Sequence, residues 1–145
     1  MRDHEKISQG EKPFEDSRGR IDNYELTEPI NLVGLITSKK GSVRANHYHP
    51  QQEQKCILIE GEYVSVTKDL LDKNEEVQTR IVKKGDLSVI PPTVAHAMIF
   101  LEDSIFINLV NGEREHENYG VTHTLPYELV NNDNKYKFIE YAQNS

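Results

Sequence analysis

Between residues 21 and 110 the chain runs in short apolar stretches broken by turn signals, a spacing that predicts strands rather than helices. The predicted strands are Ile21–Leu26, Ile30–Thr37, Val43–His49, Gln54–Glu60, Tyr63–Lys68, Val77–Val82, Leu87–Ile90, Ala95–Leu101 and Ile105–Val110. Lys39-Lys40-Gly41, Glu60-Gly61-Glu62, Lys84-Gly85-Asp86 and Glu102-Asp103 mark turns. Asp69–Glu76 is a charged excursion, read as a solvated hairpin loop. So many short strands at close spacing predict an all-β sandwich or barrel. Residues 1–15 are polar and read as a loose arm. Residues 127–145 read as a polar tail whose Asn134–Ala142 stretch can form a short terminal helix. With no internal repeat or low-complexity tract, residues 1–145 read as a single domain.

Successive strand side chains point to opposite faces. Strict alternation places Val43, Ala45, His47 and His49 on one face and Arg44, Asn46 and Tyr48 on the other. Gln54, Cys56 and Leu58 share a face, as do His96, Met98 and Phe100. If the histidine faces point inward, the interior is a pocket with a polar patch in an apolar wall, the make-up of a small-molecule site. Clustered imidazoles can hold a divalent metal or perform acid–base chemistry.

Composition narrows the classes. At 145 residues, 36% hydrophobic and 28% charged, the chain can bury a real core and does not look disordered. A net charge of -7 argues against non-specific nucleic-acid binding but leaves room for one anionic ligand held by local arginines. The single cysteine, Cys56, excludes an internal disulfide and sits in an apolar run as a small core residue. No apolar run approaches the roughly 20 residues of a membrane span. Met1–Lys6 carries no hydrophobic signal region, so a cytoplasmic location is expected. His4 is expected at the surface, and His123 is read as structural.

Two spaced motifs then become recognisable. Gly41-x5-His47-x-His49-x4-Gln54-x6-Gly61 resembles the first motif of the cupins, and Gly85-x5-Pro91-x-Thr93-x2-His96 resembles the second. The resemblance implies a double-stranded β-helix, or jelly-roll barrel, with its site inside. It also implies metal ligands at His47, His49, position 54 and His96. The chain departs from the family in having Gln54 for the usual glutamate, Thr93 for a glycine and Phe100 for an asparagine. A neutral amide is a poor metal ligand. Glu53 stands next door but alternates away unless a bulge re-aims it. The site therefore reads either as a three-histidine centre for one divalent metal (Zn, Ni, Mn or Fe) or as a site that needs no cofactor.

The flanks narrow the resemblance further. Phe14-Glu-Asp16-Ser-Arg18-Gly19 resembles the Asp-x-Arg-Gly segment of cupins acting on deoxysugar nucleotides, and Arg44-Ala-Asn-His47 resembles their Arg-Gly-x-His motif. Glu113–Gly120 resembles the acidic stretch with a tyrosine, here Tyr119, that follows their last barrel strand. The resemblance is to the dTDP-4-dehydrorhamnose 3,5-epimerase and sugar-nucleotide 3,4-ketoisomerase types. The cupin domain of some bifunctional capsule-sugar reductases shares the His96 feature. It implies an isomerase in deoxysugar and surface-polysaccharide synthesis, working on a nucleotide-linked 4-keto-6-deoxyhexose as a homodimer. His47, His49 and Tyr119 would be catalytic, and Arg18, Arg44 and Gln54 would bind substrate. Tyr48 is a second candidate acid that alternates away from the histidines; Arg114 is a weaker phosphate candidate, read rather as a rim charge between Glu113 and Glu115, and His116 lies outside the motifs. A metal-dependent cupin oxygenase and a non-catalytic sugar-binding cupin are the alternatives.

Overall fold

The computed structural model describes residues 3–72, 74, 76–111 and 124–144. In chain order the strands are β1 (Lys6–Ser8), β2 (Glu11–Asp16), β3 (Gly19–Asn23), β4 (Leu32–Ser38), β5 (Val43–Tyr48) and β6 (Gln54–Glu60). They continue as β7 (Glu62–Asp69), β8 (Val77–Lys83), β9 (Leu87–Ile90), β10 (Val94–Phe100), β11 (Ser104–Val110) and β12 (Leu125–Pro126), followed by one helix, α1 (Lys135–Gln143). Two five-stranded antiparallel sheets form, in the orders β1-β9-β6-β11-β4 and β12-β5-β10-β7-β8, with β2 and β3 paired as a separate hairpin. The all-β jelly-roll expectation holds.

Alternation along the strands divides the apolar residues into two cores. Between the sheets lie Cys56, Leu58, Tyr63, Val82, Met98, Phe100 and Phe106. Phe100, standing where the family uses asparagine, stacks on Phe106 at 5.9 Å and fills the barrel interior. On the back of the second sheet Val64, Val66, Ala95, Ala97 and Ile99 pack with Leu129, Val130 and Ala142, so the C-terminal segment and α1 cover that face. Each fully buried aliphatic side chain contributes about 1.5–3 kcal/mol by leaving water. Cys56 is buried as expected, and burial pushes its thiol up to about 12, which makes it inert.

Residues 3–15 are not a loose arm. β1 pairs with β9 through Lys6↔Val89, Ile7↔Ser88 and Ser8↔Leu87, and β2 forms most of a hairpin. That pairing carries His4 inside rather than to the surface: it is fully buried, with Nδ1 3.2 Å from Thr67 Oγ1. Glu5, also buried, accepts a short hydrogen bond from Ser88, while Arg80 of β8 donates to the Glu5 backbone carbonyl at 3.2 Å. Residues 4–8 thus bridge the edge of one sheet to the edge of the other. Polarity concealed this at the sequence level, because His4 Nδ1 and one Glu5 carboxyl oxygen find partners inside the barrel instead of in water.

Candidate active site

Three elements bring the histidines together. His47 is the penultimate residue of β5, His49 directly follows the strand, and His96 lies on the neighbouring β10, directly opposite His47 in register. Their ring centroids are 4.9 Å (His47–His49), 4.7 Å (His47–His96) and 5.4 Å (His49–His96) apart. One ligand-capable atom from each lies within 4.8 Å of the others. His49 and His96 are buried, while the half-buried His47 lines a cavity with Arg44, Gln54, Asn108, Met98, Phe106, Ile36 and Ala45.

Arg44 belongs to that cavity although alternation had placed it on the opposite face. Ala45 and Asn46 take φ of 71° and 56°, left-handed values that non-glycine residues seldom adopt. The register slips there: His96 faces His47 while the next residue, Ala97, faces Ala45, so Asn46 is an extra residue in β5. The bulge turns Arg44 and His47, three positions apart, toward the same interior, and leaves Val43 and Tyr48 packed on the outer core. Tyr48 is therefore directed away from the site. The family's glycine at position 45 is the local signal for such a bulge; Ala45 hides it. Arg44 is held by Nε donating to Ser38 Oγ at 2.6 Å and Nη2 donating to the Thr37 carbonyl at 2.8 Å. Thr93, at φ 67°, likewise occupies a backbone conformation suited to the glycine found in the family, and its N–H donates to the His49 carbonyl at 2.9 Å.

The hydrogen bonds differentiate the imidazoles. Gln54 donates from Nε2 to Asn108 Oδ1 at 3.0 Å, which leaves its carbonyl oxygen to accept from His49 Nε2, also at 3.0 Å. Thr124 Oγ1 lies 3.2 Å from His49 Nδ1 and serves as donor to that nitrogen when the ring is neutral. His96 donates from Nδ1 to the Val94 carbonyl at 3.1 Å, so its buried Nε2 carries a lone pair with no hydrogen-bond partner. Burial, aided by the nearby His47 and His49, holds the His96 imidazole well below the usual 6.5, and it stays neutral.

Two other candidates, Glu53 and Arg18, stand apart from the cluster. Glu53 lines a separate depression with Lys55, Glu25 and Leu87, 3.8 Å from Lys55 Nζ, so no bulge re-aims it and it offers the histidines no carboxylate. Arg18 lies at the turn of the β2–β3 hairpin, 84% exposed and paired with Asp16 at 2.7 Å, and does not reach the histidine cavity within one chain. Tyr119, with Arg114, His116 and His123, lies outside the described residues. Nothing in the sequence singles out Thr124 or Asn108, since neither belongs to a motif and both act from positions remote in the chain.

Solved structures similar to this chain have the same barrel. The 3,4-ketoisomerase of Thermoanaerobacterium thermosaccharolyticum, in complex with TDP-4-keto-6-deoxyglucose, is 18% identical with a TM-score of 0.70, covering 99% of this chain and 97% of that one. The dTDP-4-dehydrorhamnose 3,5-epimerase of Bacillus anthracis, with TDP and PPi bound, is 17% identical with a TM-score of 0.70, covering 89% of this chain and 81% of that one. By sequence, germin-like protein subfamily 3 member 2 of Arabidopsis thaliana is 27% identical over 84 residues, 52% of this chain but only 36% of that protein's length. Among the described residues no helix is long and apolar enough to cross a membrane. The cupin family profile matches residues 23–137, covering both histidine motifs and the barrel that holds them, and the chain belongs to the cupin family.

Proposed function

We propose that the protein is an isomerase of a nucleotide-linked 4-keto-6-deoxyhexose, an epimerase or a ketoisomerase, acting in deoxysugar and surface-polysaccharide synthesis. The observation that carries this is the hydrogen-bonded histidine cluster beside Arg44 at one cavity: Gln54 is engaged with His49 and Asn108, so the position that is a carboxylate in metal-binding relatives here orients a proton carrier. The similar structures described above have this chemistry and point the same way.

The reaction begins with removal of a proton from carbon next to the ketone. His47 faces the cavity and takes it, since imidazole titrates near working pH. His49, in edge contact with His47, stabilises or relays the charge that forms. Tyr119 is the resemblance's candidate for returning a proton. Arg44 supplies a forked cation for diphosphate or for the enolate oxygen. Arg18 enters the site only from a second copy of the chain. A homodimer is supported by the apolar outer face of the first sheet, where Leu35, Ile107 and Ile57 stand side by side across three strands and Leu35 is 72% exposed. The exposed cross-strand pair Phe14 and Ile21 on the hairpin adds apolar surface of the same kind.

A divalent metal also fits the donor set. Three imidazoles within 4.8 Å and the unpartnered His96 Nε2 suit zinc, nickel, manganese or iron. Such an ion would be held by His47, His49 and His96 and would supply electrophilic stabilisation of the enolate. His49 would have to release Gln54 or Thr124 to join it.

Incubation with dTDP-4-keto-6-deoxyglucose in heavy water tests the proposal. Deuterium at C3 or C5, or migration of the ketone, is the expected result. Neither change, with other nucleotide carriers also inert, overturns it. Metal content after purification without chelator separates the two forms of the site.

A further inference from the structure

The bulge in β5 is held from outside the strand. Asn46 Oδ1 accepts hydrogen bonds from the backbone N–H groups of Leu129 and Val130, each at 3.0 Å, and its Nδ2 donates to the Val130 carbonyl at 2.9 Å. The Asn46 carbonyl accepts from Tyr127 N–H at 2.9 Å. One residue in a left-handed conformation therefore makes four hydrogen bonds to the segment 127–130. The near end of that segment pairs with the strand as β12, through Leu125↔Tyr48 and Pro126↔His47. Immediately before β12 stands Thr124, whose hydroxyl meets His49 Nδ1.

The geometry points to Asn46 as a positioning residue: we propose that its side chain sets the register of Thr124–Val130 along β5, and so places the Thr124 hydroxyl on His49 while fixing the bulge that turns Arg44 toward His47. Two features make the side chain matter beyond the fold. Leu129 and Val130 are already buried in the outer core, so apolar packing alone draws the segment down. Packing is tolerant of small shifts along a strand, whereas three side-chain hydrogen bonds specify one register. Asparagine is also among the few residues that enter the left-handed region readily, so the one residue suits both the bulge and the clamp. Asn46 touches no reacting atom; it acts through Thr124 and through the backbone on either side of it.

The proposal rests on reading the histidine cluster as the reacting site, but its test needs no turnover. Asn46→Gly keeps the backbone conformation and removes the three side-chain bonds. Amide hydrogen exchange at Leu129 and Val130 is expected to quicken by about tenfold or more. At fixed pH, the His49 Nδ1 resonance is expected to move from that of a hydrogen-bonded acceptor toward that of an unbonded imine nitrogen, while Gln54 keeps the proton on Nε2. Asn46→Asp keeps the two accepted bonds and loses the donated one, so both readouts are expected to move in the same direction by less; this variant carries the test if the glycine variant does not fold. Thr124→Val is expected to reproduce the His49 change with the Leu129 and Val130 amides still protected. If exchange quickens while the His49 resonances stay as in the wild type, Asn46 is only a structural clamp and the proposal is overturned. Unchanged exchange overturns it equally. A wild-type chain that fails to isomerise any keto-sugar sinks the proposed function and leaves this positioning result standing or falling on its own spectra.

Discussion

His49 and Gln54 are joined by a 3.0 Å hydrogen bond in which the imidazole Nε2 is the donor and the amide carbonyl the acceptor. Because the amide's own N–H is spent on Asn108, its orientation is fixed and so is the ring's. A neutral acceptor orients an imidazole without adding the negative charge that would pull a cation into the cluster.

Gln54→Glu replaces that amide with a carboxylate. Affinity for Zn2+ or Ni2+ is expected to rise by about tenfold or more, because the substitution adds an anionic oxygen beside three imidazoles. Calorimetric titration of both proteins checks it; equal affinities would show that the amide is not what tunes the cluster.

His47→Asn removes the proton acceptor that lines the cavity. Deuterium incorporation into the keto-sugar is expected to slow on the order of 10²–10⁴-fold, with nucleotide-sugar affinity within a few-fold of wild type. The readout is the rate of solvent label uptake at saturating substrate.

Arg44→Ala is expected to raise KM by about tenfold or more, and Arg44→Lys to recover only part of the loss, because a point ammonium cannot reproduce the fork. The Ser38 and Thr37 contacts that hold the guanidinium are lost in the same step. Steady-state kinetics decides; a KM unchanged in the alanine variant would remove Arg44 from substrate binding.

Glu5 predicts a pH dependence. Burial pushes its carboxyl above the usual 4.5, against hydrogen bonds from Ser88 and Ser65 and the charge of Arg80, with the Asp86 charge adding to the rise. The folded chain therefore holds a proton that the unfolded chain has lost. Its contribution to stability is fully present below 4.5 and is lost as pH rises through the folded value. The loss runs at no more than about 1.4 kcal/mol per pH unit while the group titrates. Denaturant unfolding across this range is expected to show a falling stability that Glu5→Gln flattens. Parallel profiles for the two proteins would rule Glu5 out as the source.

Gly61→Ala is expected to destabilise the fold by about 2 kcal/mol or more. A methyl there would sit 2.0 Å from Ser104 Oγ and 2.8 Å from the Asp103 carbonyl, at φ 97°. Comparison of melting curves checks it.

Much of the barrel was legible because its strands alternate or run apolar between glycine turns. Gln54–Glu60 and Leu87–Ile90 coincide with the observed β6 and β9, and the remaining predicted strands between Ile30 and Val110 differ by a residue or two at their ends. The expected terminal helix is α1. Of the elements that escaped notice, β2 pairs locally with β3, but β1 and β12 are held by partners distant in sequence. β1 is polar and three residues long, and only β9 makes it a strand. β12 is two residues beside β5. At the site, spacing identified His47, His49, Gln54 and His96, but the alternation rule misplaced Arg44. The reason is physical: a period of two survives only until an extra residue enters the strand, and Asn46 is that residue. Nothing near Arg44 in sequence reveals that Leu129 and Val130 will stabilise the irregularity.

The surroundings of the histidine cluster draw on the two far ends of the described chain. His4 meets Thr67, which faces His96 across the sheet, and Thr124 meets His49. A ribosome that has released only the first hundred or so residues has therefore made every imidazole of the cluster, and His4 as well, without the Thr124 hydroxyl that meets His49. The hydrogen bond to His49 Nδ1 is therefore set only after the strands that carry the imidazoles have been made.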